Sequence, residues 1–99
     1  MLYIINKNPS QSSALKNCVD QAIAGDVILL IENAVYAALN TAESTVLTLL
    51  NDQVSVYVLT PDLQARGIHF DQCYNSVKPV DYAGFVMLVT QHQPIRSCF

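Results

Sequence analysis

Asp26-Val27-Ile28-Leu29-Leu30-Ile31, DVILLI, is apolar at successive positions rather than at alternate ones. A strand with one wet face alternates, whereas an unbroken apolar run is what a parallel sheet covered by helices on both sides requires. LYII at 2–5 and VSVYVL at 54–59 have the same character and the same richness in β-branched residues, and helix-like segments separate the three. A fourth, weaker strand is predicted at Val77 to Val80. Pro79 within it places it at an edge, where a missing amide donor costs least.

The intervening segments carry helix punctuation. After SQSS, where Ser12 or a neighbouring serine can cap, Leu15, Cys18, Val19, Ala22 and Ile23 form one apolar stripe, which Gly25 ends. Further helical stretches are predicted from about Asn33 to Leu39 and from Thr41 to Leu50. In TPDLQARG, Thr60 reads as N-cap, Pro61 as the first helical residue, Asp62 as facing the helix dipole, and Gly67 as lying past the end. Asp81 opens a last helix with Tyr82, Phe85, Val86 and Val89 at helical spacing. With no repeat or linker, residues 1–99 form a single domain. It is an α/β fold: an open, mostly parallel sheet of about four strands, with right-handed crossovers and helices on both faces.

Composition bounds the function. Of 99 residues, 52% are hydrophobic and only 13% charged, against a usual charged fraction of about 25%. So small a domain cannot hide all its apolar side chains, and exposed apolar patches mark partner interfaces. An obligate oligomer is expected. The net charge of −3, with Lys7, Lys16, Arg66, Lys78 and Arg96 scattered along the chain, argues against direct nucleic-acid binding. The longest apolar run is VILLI at 27–31, far below the roughly 20 residues that span a bilayer, and MLYIINK lacks the order of a signal peptide. A cytoplasmic protein without membrane contact is expected.

Glycines at 25, 67 and 84 alone build neither a dinucleotide fingerprint nor a P-loop, so no nucleotide cofactor is expected. His69 and Cys73, four apart, are too few to hold a metal. No nucleophile elbow surrounds any serine. Asp62 and Arg66 are spaced to pair within one short helix. Cys18, Cys73 and Cys98 fit neither a disulfide framework nor a zinc site and are expected as free thiols. Ligands of such sheets sit beyond the carboxyl ends of the strands, here Asn6 to Ser10, Glu32 to Asn33, Thr60 to Asp62 and Val80 to Asp81, although loop caps alone account for many such polar residues.

The opening strand running into NKNP, the cysteine in the first helix, GDVILLIENAVYAA, VYVLTPDLQARG and VDYAGFVML, in this order, resemble the DsrH/TusB family of sulfur-relay subunits over nearly the whole chain. The resemblance implies a cytoplasmic dimer of heterotrimers with DsrE/TusD-like and DsrF/TusC-like partners of related fold. Such a complex takes persulfide sulfur from a donor protein and passes it to an acceptor. In the TusB branch the sulfur goes toward 2-thiolation of the tRNA wobble uridine, in the DsrH branch into dissimilatory sulfur oxidation. The resemblance also places the principal sulfur-carrying cysteine on the DsrE/TusD partner and matches Cys18, as a secondary catalytic thiol, to a cysteine of the DsrH branch. From the residues alone, Cys18 is as readily a core residue of its stripe. Two other classes stay open: a stand-alone sulfurtransferase using Cys18 or Cys73 as nucleophile, and a module that binds a small anion near Lys7, Asn8, Ser10 and Thr60.

Overall fold

The computed structural model describes residues 1–8, 10, 12–39, 47, 49–50 and 52–98. Five parallel strands, β1 (Leu2–Ile5), β2 (Val27–Leu30), β3 (Ser55–Leu59), β4 (Val77–Val80) and β5 (Ile95–Cys98), form one sheet in the order β4-β3-β2-β1-β5. The helices are α1 (Ala14–Gln21), α2 (Thr60–Ala65) and α3 (Tyr82–Gln91), with 3-10 turns at Glu32–Ala38 and Phe70–Gln72.

This order dictates which face each helix covers. From β1 to β4 the chain steps across the sheet in one direction, and then α3 returns it past β3, β2 and β1 to β5. Right-handed connections in opposite directions must lie on opposite faces. Accordingly, Leu15, Cys18 and Val19 of α1, Ala34 and Val35 of the first 3-10 turn and Leu63 of α2 pack with Tyr3, Ile5, Ile28, Leu30, Val56 and Val58 on one face. On the other, Leu88 of α3 covers Leu2, Ile4, Val27 and Leu29, with Phe85 and Val89 beside it. Every residue of β1 and β2 is buried, which is why these runs do not alternate.

On the first face the register draws two rows across the sheet. One runs Val77, Val56, Ile28, Tyr3, Arg96; the next runs Pro79, Val58, Leu30, Ile5, Cys98. The sequence predicts neither row to its end, because β5 is absent from its reading. IRSC is short, exposed over its first three residues and interrupted by arginine and serine, so as an edge strand it lacks the continuous apolar signature that marks the central ones. The predicted edge at Val77 to Val80 is where β4 lies.

Several local expectations shift. Ile23 is 69% exposed and lies beyond α1, whose buried residues are Leu15, Cys18 and Val19. The helix stops at Gln21 because the chain must turn into β2: buried Asp26 accepts hydrogen bonds from the Ile23 amide (3.0 Å) and the Met1 ammonium (3.0 Å). Gly25, at φ +91°, supplies the left-handed turn residue. The stretch from 33 to 39 is 3-10 rather than α, and the helix expected over 41–50 falls mostly outside the described residues. Thr60 is not the cap of α2. Leu59, still extended, takes that position, and the Thr60 hydroxyl instead donates to the Val80 carbonyl at 3.2 Å, tying β3 to β4. Asp81 does cap α3, accepting from the Gly84 amide at 2.8 Å. The face of α3 that packs on the sheet is Phe85, Leu88 and Val89, whereas Tyr82, Val86 and Met87 point outward. No helix among the described residues is long and apolar enough to cross a membrane.

Candidate functional site

Cys18 occupies the middle of α1, on the side turned to the sheet edge, and is 3% exposed. Arg96 and Cys98 are two residues apart on β5, so both project from the face that α1 covers, beside Tyr3 and Ile5 of β1. The result is a close approach between residues 80 positions apart: the Cys18 and Cys98 sulfurs are 2.9 Å from each other, both as free thiols. Cys98 is only partly buried. An open cavity of about 250 Å³ lies against the pair, lined by Ala14, Asn17, Gln21 and Arg96 as well as both cysteines. Arg96 is held over it by a 3.2 Å hydrogen bond donated to the Gln21 amide oxygen.

The two sulfurs have unequal surroundings. Burial, and then the hydrogen bond and charge of Cys98, push the Cys18 thiol up to about 12, with the Arg96 guanidinium acting weakly in the opposite sense. Cys18 therefore keeps its proton at neutral pH and can donate it to the Cys98 sulfur. The raised value has a consequence for stability. In the unfolded chain a thiol ionises from about pH 8.5, while folded Cys18 stays protonated, so the native state binds more protons above that pH and loses stability as pH rises toward 12. Thermal melts at increasing alkaline pH should fall more steeply for the natural chain than for Cys18→Ala, by at most about 1.4 kcal/mol per pH unit, the two curves running parallel below about pH 8.

Cys73 is half-buried in a bridge to Leu39, away from this cavity, and its thiol is pushed up by burial and by the charge of Asp71. Those surroundings disfavour a nucleophile. His69 lies at the start of the second 3-10 turn, where its amide donates to Gln72 Oε1 at 2.9 Å. Among the described residues no three His, Cys, Asp or Glu side chains converge as metal ligands. Of the groups proposed for an anion, Asn8, Ser10 and Thr60 make internal hydrogen bonds: Asn8 Oδ1 accepts from the Ser10 amide and hydroxyl, both at 3.0 Å, and the Thr60 hydroxyl donates to the Val80 carbonyl.

The carboxyl ends of β1, β2 and β3 meet in a polar clamp. Asp62 does not pair with the Arg66 guanidinium. Its carboxylate accepts from the Glu32 amide at 2.6 Å, and Arg66 donates to Asn33 Oδ1 (2.9 and 3.2 Å) and to the Asp62 carbonyl (3.0 Å). Glu32, at φ +50°, is the only non-glycine residue among those described in the left-handed region. Asn6 holds its side chain from the other side, donating to Oε2 at 3.3 Å. The clamp thus fixes a strained turn out of β2, which a helical i, i+4 reading of Asp62 and Arg66 could not reveal. Asp62→Ala should cost about 1.5–3 kcal/mol, the range for a charge-assisted hydrogen bond, measurable by urea unfolding.

The sequence matches the family model described as DsrH like protein over residues 7–95. It is 35% identical to Protein TusB of Pectobacterium parmentieri over 94 residues, covering 93% of this chain and 94% of that one. It is also 35% identical to Protein TusB of Serratia proteamaculans over 99 residues, covering 98% and 99%. Among solved structures it resembles the solution structure of protein Tm0979 from Thermotoga maritima, with a TM-score of 0.66 and 27% identity over 91% of this chain and 92% of that one. The ychN protein from E. coli shares the fold, with a TM-score of 0.74 at 16% identity over 97% of each chain. The chain belongs to the DsrH/TusB family of sulfur-relay subunits.

Proposed function

We propose that this protein is the TusB-type subunit of a cytoplasmic complex that relays persulfide sulfur toward 2-thiolation of the tRNA wobble uridine. Its partners are DsrE/TusD-like and DsrF/TusC-like subunits, in a dimer of heterotrimers, with the principal sulfur-carrying cysteine on the DsrE/TusD-like chain. Cys18 contributes a secondary thiol. The observation that carries this reading is similarity to TusB chains over nearly the whole length, and beside it stands a buried Cys18 whose sulfur meets Cys98 against an open, arginine-bearing cavity. The dissimilatory DsrH role has one observation in its favour, the presence of Cys18 itself.

The surface supports assembly. Tyr82 and Val86, one turn apart on α3, and the adjacent Met87 are 63%, 59% and 56% exposed, an apolar strip that a monomer leaves in water. We assign it to a partner subunit. The net charge of −3 assigns contact with tRNA to another chain. The test is purification of the chain alone and with its two partner types. Alone, sedimentation at tens of micromolar should show self-association. With the partners, a single complex containing all three chains should elute. A well-behaved monomer that neither partner retains would overturn the proposal.

A further inference from the structure

Within this site, and resting on the sulfur-relay reading, we infer that Cys98, not Cys18, is the thiol of this chain that receives sulfane sulfur, and that Cys18 is a positioning residue that hydrogen-bonds it. Three observations converge. Cys98 ends the edge strand of the sheet and is partly exposed, whereas Cys18, on the sheet-facing side of α1, is 3% exposed. The sulfurs are 2.9 Å apart, within hydrogen-bonding distance, and Cys18, buried as it is, lacks the access to meet a donor protein itself. The cavity of about 250 Å³ that opens on Cys98 is lined by Arg96, a fixed cation where a thiolate or persulfide anion would form. The burial that keeps Cys18 protonated fits the same division of roles.

The step balances without any redox partner. The Cys98 thiolate attacks the outer sulfur of a donor persulfide R–S–SH. The new bond joins Cys98 Sγ to that sulfur, the S–S bond of the donor breaks, and R–S⁻ leaves with the electron pair and takes a proton from water. Cys98 then bears S–SH, and the Cys18 thiol and the Arg96 guanidinium lie where they can stabilise its anion. Onward transfer is the same exchange, with an acceptor thiolate attacking the outer sulfur and the Cys98 thiolate, restored beside the Cys18 S–H, as leaving group.

The experiment uses the full chain, alone and in complex, with glutathione persulfide as the probe, followed by capping with iodoacetamide and fragmentation of the intact chain in the mass spectrometer. One added sulfur is expected on Cys98. Cys98→Ser should abolish it without moving it to Cys18. Cys18→Ala should slow capping of Cys98 at neutral pH about tenfold, the effect of losing one hydrogen bond worth about 1.4 kcal/mol to the charged form. Cys18→Ser, which keeps a donor, should restore most of the rate, a rescue that a purely packing role for Cys18 would not produce. Should Cys98→Ser fail to fold, the natural chain still decides, because Cys98 must cap at least about tenfold faster than Cys18. Added sulfur on Cys18, or retained in Cys98→Ser, overturns the inference. Loading of Cys98 in a chain that no partner retains would uphold the site and remove the relay reading. A complex that assembles and loads this chain at Cys18 would do the reverse.

Discussion

Leu30→Ala should destabilise the domain by about 3–5 kcal/mol, the upper part of the range for a buried leucine, and so remove much or all of the stability of a chain this size. Leu30 is fully buried in β2, with Ile5 on one side and Val58 on the other, and the 3-10 turn and helices of the first face above it. A site walled by paired backbone on both sides and packed side chains above cannot collapse onto the void, so the cavity term adds to the lost transfer term. Each kcal/mol lowers the melting temperature of a domain of this length by roughly 4–8 °C. Ile23→Ala, at a position 69% exposed, is the control and should stay within about 0.5 kcal/mol of the natural chain. Equal effects from the two would mean that the core is not where the sheet places it.

The contrast between these two residues explains how much of the fold the sequence discloses. Leu30 sits in a run that is apolar at every position, and only a strand covered on both faces has a use for that pattern, so β1 and β2 are legible from the run itself, while β3, half-buried at Ser55 and Tyr57, is legible from its β-branched richness. Ile23 continues the helical spacing of Leu15 and Val19, but the pull of Asp26 on the Ile23 amide ends the helix first. That is a contact between a loop and a side chain, and no periodicity reports it. β5 was hidden for a different reason. Its pairing to β1 is stabilised by backbone hydrogen bonds and the edge position, neither of which needs apolar side chains. Because β5 was hidden, so was half of the candidate site. Cys18 is legible as a thiol on an apolar stripe, while its neighbour at 2.9 Å, 80 positions away, requires the return of the chain through α3. The alternation of Arg96 and Cys98 was the available signal: once IRSC is read as a strand, both must face the same side.

Val86→Glu should abolish retention by the partner subunits, weakening assembly by about a hundredfold or more, while leaving the fold intact. Val86 is 59% exposed, so a carboxylate there meets water in the free subunit and costs little. In an apolar interface the same carboxylate is buried without a partner, a cost of about 3–5 kcal/mol, and every 1.4 kcal/mol is tenfold in affinity. Gln64→Glu, an equal change of charge on exposed α2, should leave assembly unchanged. Melting curves of the three proteins separate loss of binding from loss of fold. If Val86→Glu joins the complex as tightly as the natural chain, α3 is not the interface and the apolar strip needs another occupant.

The most direct test of the account follows sulfur through the reconstituted complex, from a persulfide donor protein to an acceptor, with mass spectrometry of each subunit. The account predicts that replacing the principal cysteine of the DsrE/TusD-like subunit abolishes transfer. Cys18→Ser should leave the complex assembled and reduce transfer only in part. Complete loss of transfer in an assembled Cys18→Ser complex would place the essential nucleophile on this chain and contradict it.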